Sequence, residues 1–281
     1  MRLLVTGGSG YVGAGILRRA PKDWQLAATY LAHPIEQAGV AAFCVDVRDA
    51  NAVNRLFDEF HPDVVIHAAA LMTGDGMMSV NADGSRNIAR AAMRHNTKLI
   101  HLSSDVIFDG EHAPYDESAI PAPITPYAES KARAEQVVRE EHPRSIIVRT
   151  SLIYGFDPMD SRTRQILDGA MPYLFTDEYR CPIFVDDLAD ALIELAAQTF
   201  EVLETSKVSM INIAGAQRLS RYEFGVTLAR AFGVEPRFEP ALSASHPSPR
   251  PRDCTLDISL AQKILRTKLR SVNAVLSSLI K

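Results

Sequence analysis

The stretch RLLVTGGSGYVGAGILRR, residues 2–19, passes from an apolar run through spaced glycines into a helical pattern. Residues 2–6 read as a strand and 11–20 as a helix, so Gly7, Gly10 and Gly13 fall in the turn that joins them. Glycine permits a tight turn and close approach of the backbone to a bound group. The free N–H groups and dipole at a helix start favour negative charge. A turn in this setting predicts a pyrophosphate cradle, with Tyr11 and Val12 lying between its glycines.

Outward from that turn, short apolar runs alternate with helical patterns. Strands are expected at 2–6, 25–30, 41–45, 63–68, 98–103, 145–150 and 209–214, and helices at 11–20, 49–60, 80–96, 126–141 and 186–198. Most of the strand runs are continuously apolar, as in strands covered on both faces. The expected fold is α/β: a doubly wound parallel sheet with right-handed crossovers and a small discontinuous C-terminal substrate-binding lobe. The dinucleotide domain is assigned to 1–155 and 182–214, the lobe to 156–181 and 215–281. Residues 156–181 show no clear strand–helix unit, and the proline-rich 234–254 reads as loop. An amphipathic helix is expected over 261–281.

Bulk properties narrow the partners. A chain of 281 residues with net charge −4 offers no general field for nucleic acid or an acidic membrane surface. No apolar run approaches the roughly 20 residues that span a bilayer, and the N-terminus lacks the pattern of an export signal. The cysteines Cys44, Cys181 and Cys254 are far apart and show no metal-ligand spacing, which fits a reducing, cytoplasmic setting without a metal site.

The second motif is TPYAESKARAEQ, residues 125–136. Four residues separate Tyr127 from Lys131, which on a helix places both on one face, with Cβ atoms roughly 5–6 Å apart. Tyrosine titrates near about 10, too high for easy proton exchange at neutral pH, and a neighbouring ammonium lowers that value. Many exposed helix faces carry the same spacing, so the pair acquires meaning from its company. Past the second expected strand the chain reads TYLAHP (29–34), with no acid to take a ribose 2′-hydroxyl and no obvious arginine to take a 2′-phosphate. That absence leans toward NADP(H) over NAD(H).

Together, VTGGSGYVG (5–13), HLSSDVIFDG (101–110) and the Tyr-x-x-x-Lys, in that order, resemble the extended short-chain dehydrogenase/reductase superfamily, whose fold is of the Rossmann type. HAAA (67–70) and RTSLIYG (149–155) match cofactor-lining motifs of that branch. SSDVIFDG, IPAPITPYAESKARAE, CPIFVDDLADAL and PRPRDCTLD are similar to dTDP-4-dehydrorhamnose reductase and its relatives, among them the regulatory subunit of methionine adenosyltransferase. The resemblance implies Ser104, Tyr127 and Lys131 as the catalytic set. It implies a cofactor lined by Gly7, Gly10, Tyr11, Val12, Gly13, Asp46, Val47, Ala68, Ala69, Ala70, Asn81, Tyr127 and Lys131. A nucleotide-sugar substrate would meet Ser104, Asp105, Val106 and Tyr127, and Arg250 and Arg252 would reach its pyrophosphate.

The family usually reads Asp-Tyr-Val-Phe where this chain has Asp105-Val106-Ile107-Phe108, which removes one phenol from the sugar site. The same Val106 stands where nucleotide-sugar dehydratases carry a second acid, and this disfavours dehydration. The implied activity is reduction of a 4-keto-6-deoxy nucleotide sugar. A 4-epimerase and a dinucleotide-binding regulatory subunit stand as alternatives, and a homodimer is a family expectation. Arg149, Asp186, Asp187, His67 and His101 are each read as structural at least as readily as functional.

Overall fold

In the computed structural model, which describes residues 1–198 and 208–279, the chain divides into two compact units. The first comprises 1–103, 126–148, 189–198 and 208–211, and the second 104–125, 149–188 and 212–279.

The first unit is built on a sheet whose strands are β1 (Arg2–Thr6), β2 (Gln25–Tyr30), β3 (Val40–Cys44), β4 (Val64–His67), β5 (Lys98–Ser104) and β6 (Ile146–Thr150), with Met210–Ile213 at one edge. From that edge the order is Met210–Ile213, β6, β5, β4, β1, β2, β3, and β1 pairs in parallel with both β2 and β4. The winding therefore reverses beside β1, the position at which open α/β sheets bind ligands. Every residue of β4 is buried, which is why its run is apolar throughout. β3 lies at the other edge and is largely exposed. Helices α1 (Tyr11–Arg19), α2 (Ala50–Phe60), α3 (Gly84–Arg94) and α4 (Pro126–Glu141) fill the crossovers. Leu4, Val65, Leu99 and Ile147 of the sheet pack with Val53 and Phe57 of α2, Ile88 of α3 and Val138 of α4. Each such side chain contributes about 1.5–3 kcal/mol by leaving water. None of the described helices is long and apolar enough to cross a membrane.

The second unit holds elements that the periodicity did not announce. Within 156–181 lie a helix, Ser161–Leu167, and two strands, Tyr173–Phe175 and Tyr179–Arg180. They are too short to show a repeat. A further unexpected helix, Arg221–Ala231, begins with a reciprocal capping box in which Ser220 accepts from the Glu223 N–H and Glu223 accepts from the Ser220 N–H. The expected loop 234–254 contains a strand, Glu239–Ala241, paired with Tyr173–Phe175.

The terminal helix expected over 261–281 is instead two helices, Ser259–Ile264 and Val272–Leu279; residues 280–281 lie outside the described chain. Within the break, one residue is held from outside the segment. Arg270 directs its backbone N–H to Asp187 at 3.0 Å instead of to a helical carbonyl, and its guanidinium meets the same carboxylate at 2.6 Å. Asp187 thus serves as an ion-pair partner, not as a helix cap.

Ser220→Ala should destabilise the protein by about 1 kcal/mol, because the cap bond to an otherwise unpaired helix N–H is lost. Urea unfolding of the two proteins measures this, and equal midpoints and slopes would refute it.

Candidate active site

The glycine turn is shaped by close approach. Gly7 has φ +69°, and a Cβ placed on it would lie 2.7 Å from Ala69 Cα, closer than any side chain tolerates. At Gly13 a Cβ would lie 2.3 Å from the Gly7 carbonyl oxygen. No side chain caps α1 at Gly10, and Ser9 and Gly10 are exposed. An uncapped helix start behind a glycine cradle fits a diphosphate. Tyr11 and Val12 are half-buried beside it, and Ala68 and Ala69 back the turn while Ala70 is exposed.

At the carboxyl end of β3, Asp46 caps nothing; Asp49 caps α2. Asp46 accepts from Arg48 at 2.6 Å, and that side-chain bond holds its carboxyl below the usual range. Val45 N–H bonds the Tyr30 carbonyl, so the run to Arg48 leaves β3 beside the end of β2. Val47 is buried, and Gly84 leaves room for it: a Cβ there would lie 2.6 Å from Val47 Cγ2.

A buried hydrogen-bond chain starts at β1. His67 meets Thr6 Oγ1 through Nδ1 at 2.6 Å and Ser85 Oγ through Nε2 at 2.9 Å. Ser85 spends its own proton on the Asn81 carbonyl at 2.5 Å, so His67 Nε2–H must donate to Ser85 and Nδ1 must accept from Thr6. Burial, reinforced by the Lys131 charge, pushes the imidazole down to about 3, so His67 is neutral as this assignment requires. Asn81, fully buried in the π-helical turn Ser79–Asp83, brackets Leu71 through that residue's N–H and carbonyl and donates to Ser130 Oγ at 2.8 Å. Ser130 donates in turn to the Tyr127 carbonyl at 2.7 Å. Asn81 is a central link, not a helix-surface residue. Ser130 and Ser85 were missed by sequence reasoning, because serine inside a helix carries no local signal.

Helix α4 begins at Pro126, where a missing N–H costs nothing. At its second and sixth residues, Tyr127 is half-buried and Lys131 is buried. Lys131 donates to the Leu102 carbonyl at 2.6 Å, two residues before the end of β5. Its desolvation lowers the ammonium to about 8, opposed by the charge of Glu135. His101, buried with both ring nitrogens unbonded, is held well below its ordinary value by desolvation and by that ammonium.

In the second unit, Ser104 is half-buried and its Oγ lies 3.3 Å from Asp105 Oδ1, a weak bond. Asp105 is buried, accepts from Ser151 at 2.6 Å and lies 3.7 Å from Arg180; desolvation raises its carboxyl against both. Val106 is half-buried in the 3₁₀ turn Asp105–Ile107. Arg149, 1% exposed, donates to the Ala119 carbonyl and lies over the Phe108 ring, which is a structural post. Arg250 is held by Glu178 at 2.6 Å and Arg252 by Glu111 at 2.6 Å, so the two arginines are not brought to one partner.

The family model described as the RmlD substrate binding domain matches residues 1–281. The chain belongs to that family. Among its relatives, dTDP-4-dehydrorhamnose reductase of Aggregatibacter actinomycetemcomitans is 28% identical over 281 residues, covering 93% of this chain and 92% of the relative. Methionine adenosyltransferase 2 subunit beta of Pongo abelii is 27% identical over 285 residues, covering 92% and 80%. The crystal structure of a hypothetical dTDP-4-dehydrorhamnose reductase from Sulfolobus tokodaii shares the fold with a TM-score of 0.83 at 28% identity, covering 97% of each chain.

The Lys131 shift has a stability consequence with a definite sign. Its folded value, about 8, lies below the ordinary lysine value of 10.5, so between those limits the unfolded chain binds more protons than the folded one. The contribution of Lys131 to stability should therefore rise with pH from about 8 to about 10.5. Chemical denaturation of the protein and of Lys131→Met across that range isolates it. A stability difference that does not move toward the lysine form as pH rises would refute the assignment.

Proposed function

We propose that the protein is an NADPH-dependent reductase of a 4-keto-6-deoxy nucleotide sugar, of the dTDP-4-dehydrorhamnose type. The observation that carries this reading is the buried Lys131, one helical turn from Tyr127 on α4 and tied to the β5 carbonyl two residues before Ser104. The cofactor falls to 1–155 and 182–214, with its pyrophosphate on the Gly7–Gly13 turn and its adenine beside Asp46 and Val47. The substrate falls to 156–181 and 215–281.

A bound reduced nicotinamide would supply the hydride. Tyr127 Oη holds the proton that the carbonyl oxygen receives as the C4 carbon is reduced, and Ser104 Oγ donates a hydrogen bond to that same oxygen. The Lys131 ammonium favours the phenolate that remains and anchors the nicotinamide ribose. Asn81 and Ser130 set the first turn of α4 through the Tyr127 carbonyl and so fix where the phenol stands. The residues after β2 carry no acid to take a ribose 2′-hydroxyl, and Arg48, two residues from Asp46 at the proposed adenine position, is a cation that a 2′-phosphate could meet; both support NADPH.

Likeness to a subunit of methionine adenosyltransferase favours a second reading, a dinucleotide-binding regulatory subunit. Turnover separates the two. With dTDP-4-dehydrorhamnose, NADPH should be consumed, and Tyr127→Phe should lower kcat by about 10²–10⁴. A variant that kept full activity would refute the proton-donor role, and cofactor binding without turnover of any 4-keto sugar would favour the subunit reading. Arg48→Gln should reduce kcat/KM for NADPH by about tenfold while leaving NADH unchanged. Equal losses with both cofactors would remove Arg48 from their discrimination.

A further inference from the structure

In the second unit, Asp105 and Ser151 stand just past the carboxyl ends of β5 and β6, strands that are neighbours in the sheet. Both residues are buried. The proposed reaction gives Ser151 no part, yet its hydroxyl is fully committed. Its Oγ accepts from the Cys181 N–H at 3.1 Å, so its own proton goes to Asp105 Oδ2 at 2.6 Å.

The two carboxylate oxygens of Asp105 are treated differently. Oδ2 takes the short Ser151 bond and lies 3.7 Å from Arg180 Nε. Arg180 is itself fixed by the carbonyls of Tyr179 and Pro251, at 2.6 and 3.1 Å. Oδ1 has only Ser104, at 3.3 Å, and the Ser104 Oγ accepts from the Val106 N–H at a loose 3.5 Å. One side of the carboxylate is thus anchored, and the other faces a hydroxyl that is cheap to redirect. A buried acid kept for packing alone would be expected to have both oxygens well paired.

We propose that Ser151 is a positioning residue, which holds Asp105 by Oδ2 and so aims Oδ1 at the Ser104 hydroxyl. This inference rests on the reductase reading above, in which Ser104 donates to the substrate carbonyl. The weak Oδ1 bond sets where Ser104 Oγ stands, and leaves its proton free to turn to a substrate oxygen. If Ser151 served only to satisfy the Cys181 N–H, its removal would cost stability and nothing else.

A consequence for pH separates these roles. Burial raises the Asp105 carboxyl, and the charges of Arg180 and Arg221, with the bonds from Ser151 and Ser104, oppose it. The thiols of Cys181 and Cys254 are pushed up by burial and stay neutral beside it. A bond donated to the charged form favours that form, so loss of the Ser151 donor should raise the carboxyl further.

The test measures kcat and KM on dTDP-4-dehydrorhamnose against pH for the parent, Ser151→Ala, Ser151→Thr, Asp105→Asn and the Ser151→Ala/Asp105→Asn double variant. Ser118→Ala, which removes an exposed hydroxyl bonded to Asp116, is the control and should match the parent. In Ser151→Ala, kcat should fall by about tenfold to a hundredfold with little change in KM. Its acidic limb should move to higher pH. Ser151→Thr keeps the hydroxyl and should restore both. In the Asp105→Asn background, Ser151→Ala should change kcat by less than about twofold, because the two residues act as a unit. Should Ser151→Ala fail to fold, Ser151→Cys, of similar volume but a weak donor, takes its place. Independent losses in the double variant, or a fall in Tm with an unmoved acidic limb, overturn the inference. Carbon-13 NMR of the Asp105 carboxyl, assigned with Asp105→Asn, distinguishes this failure from failure of the reductase reading. Turnover by the parent, with an Asp105 titration unchanged in Ser151→Ala, would sink the positioning role and leave the reductase intact. A titration moved upward in a protein that reduces no 4-keto sugar would sink the reductase and leave the anchoring of Asp105 in place.

Discussion

One buried imidazole fixes the polarity of everything around the glycine turn. His67 can serve Thr6 and Ser85 together only as the neutral Nε2–H tautomer, because the Ser85 proton is already committed to the Asn81 carbonyl. From there Asn81 and Ser130 carry the chain to the first turn of α4. Strand β1, strand β4, the turn ahead of α3 and the Tyr-x-x-x-Lys helix are thereby joined through side chains whose donors and acceptors are matched. Such a network is worth having only when complete, since each unpaired member would pay its full desolvation in the core. With its imidazole near about 3, His67 keeps this arrangement throughout the neutral range.

The same core carries a charge. Lys131 is 3% exposed and is compensated by the Leu102 carbonyl and the charge of Glu135. Two imidazoles nearby, His67 and His101, with ring centroids 5.3 Å apart, are both pressed toward neutrality by its presence. Protonation of either would set like charges against the ammonium in a low-dielectric interior, so the lysine helps to keep His67 in the neutral state on which the network depends. The cation and the hydrogen-bond chain thus support each other.

How much of this was legible depended on the range of the signal. The bounds of α4, Pro126–Glu141, could be read directly, because a proline start and a long run of good helix formers are local facts. The glycine turn was legible for a similar reason: strand, turn and helix are contiguous. Arg48 escaped a reading confined to the residues after β2, since it arrives from β3. Helix Arg221–Ala231 did announce itself, in the Ser220-x-x-Glu223 signature of a capping box, and went unread inside a segment taken for lobe. The broken C-terminal helix was less legible, because Arg270 within the interruption bonds Asp187, 83 positions away. The Glu178–Arg250 pair is of that kind too, its members 72 positions apart and joined only by folding.

A choice between enzyme and scaffold can be argued from what each needs. A subunit that only binds a dinucleotide requires the Gly7–Gly13 turn and the uncapped start of α1, and gains nothing from a lysine buried at the cost of its hydration. Hydrophobic residues of similar volume fill such positions without that penalty. A reductase does require a cation one turn from its proton donor, in a site dry enough for the charge to act at full strength. Lys131 has this character. Its ammonium is desolvated enough to fall to about 8, yet at neutral pH it still carries its proton. Were the position only inherited, relaxation would be expected toward a smaller or apolar side chain, or toward a lysine turned out to solvent. The inward lysine, with its head on a β5 carbonyl, makes physical sense under the proposed reading, in which Tyr127 one turn away gives a proton.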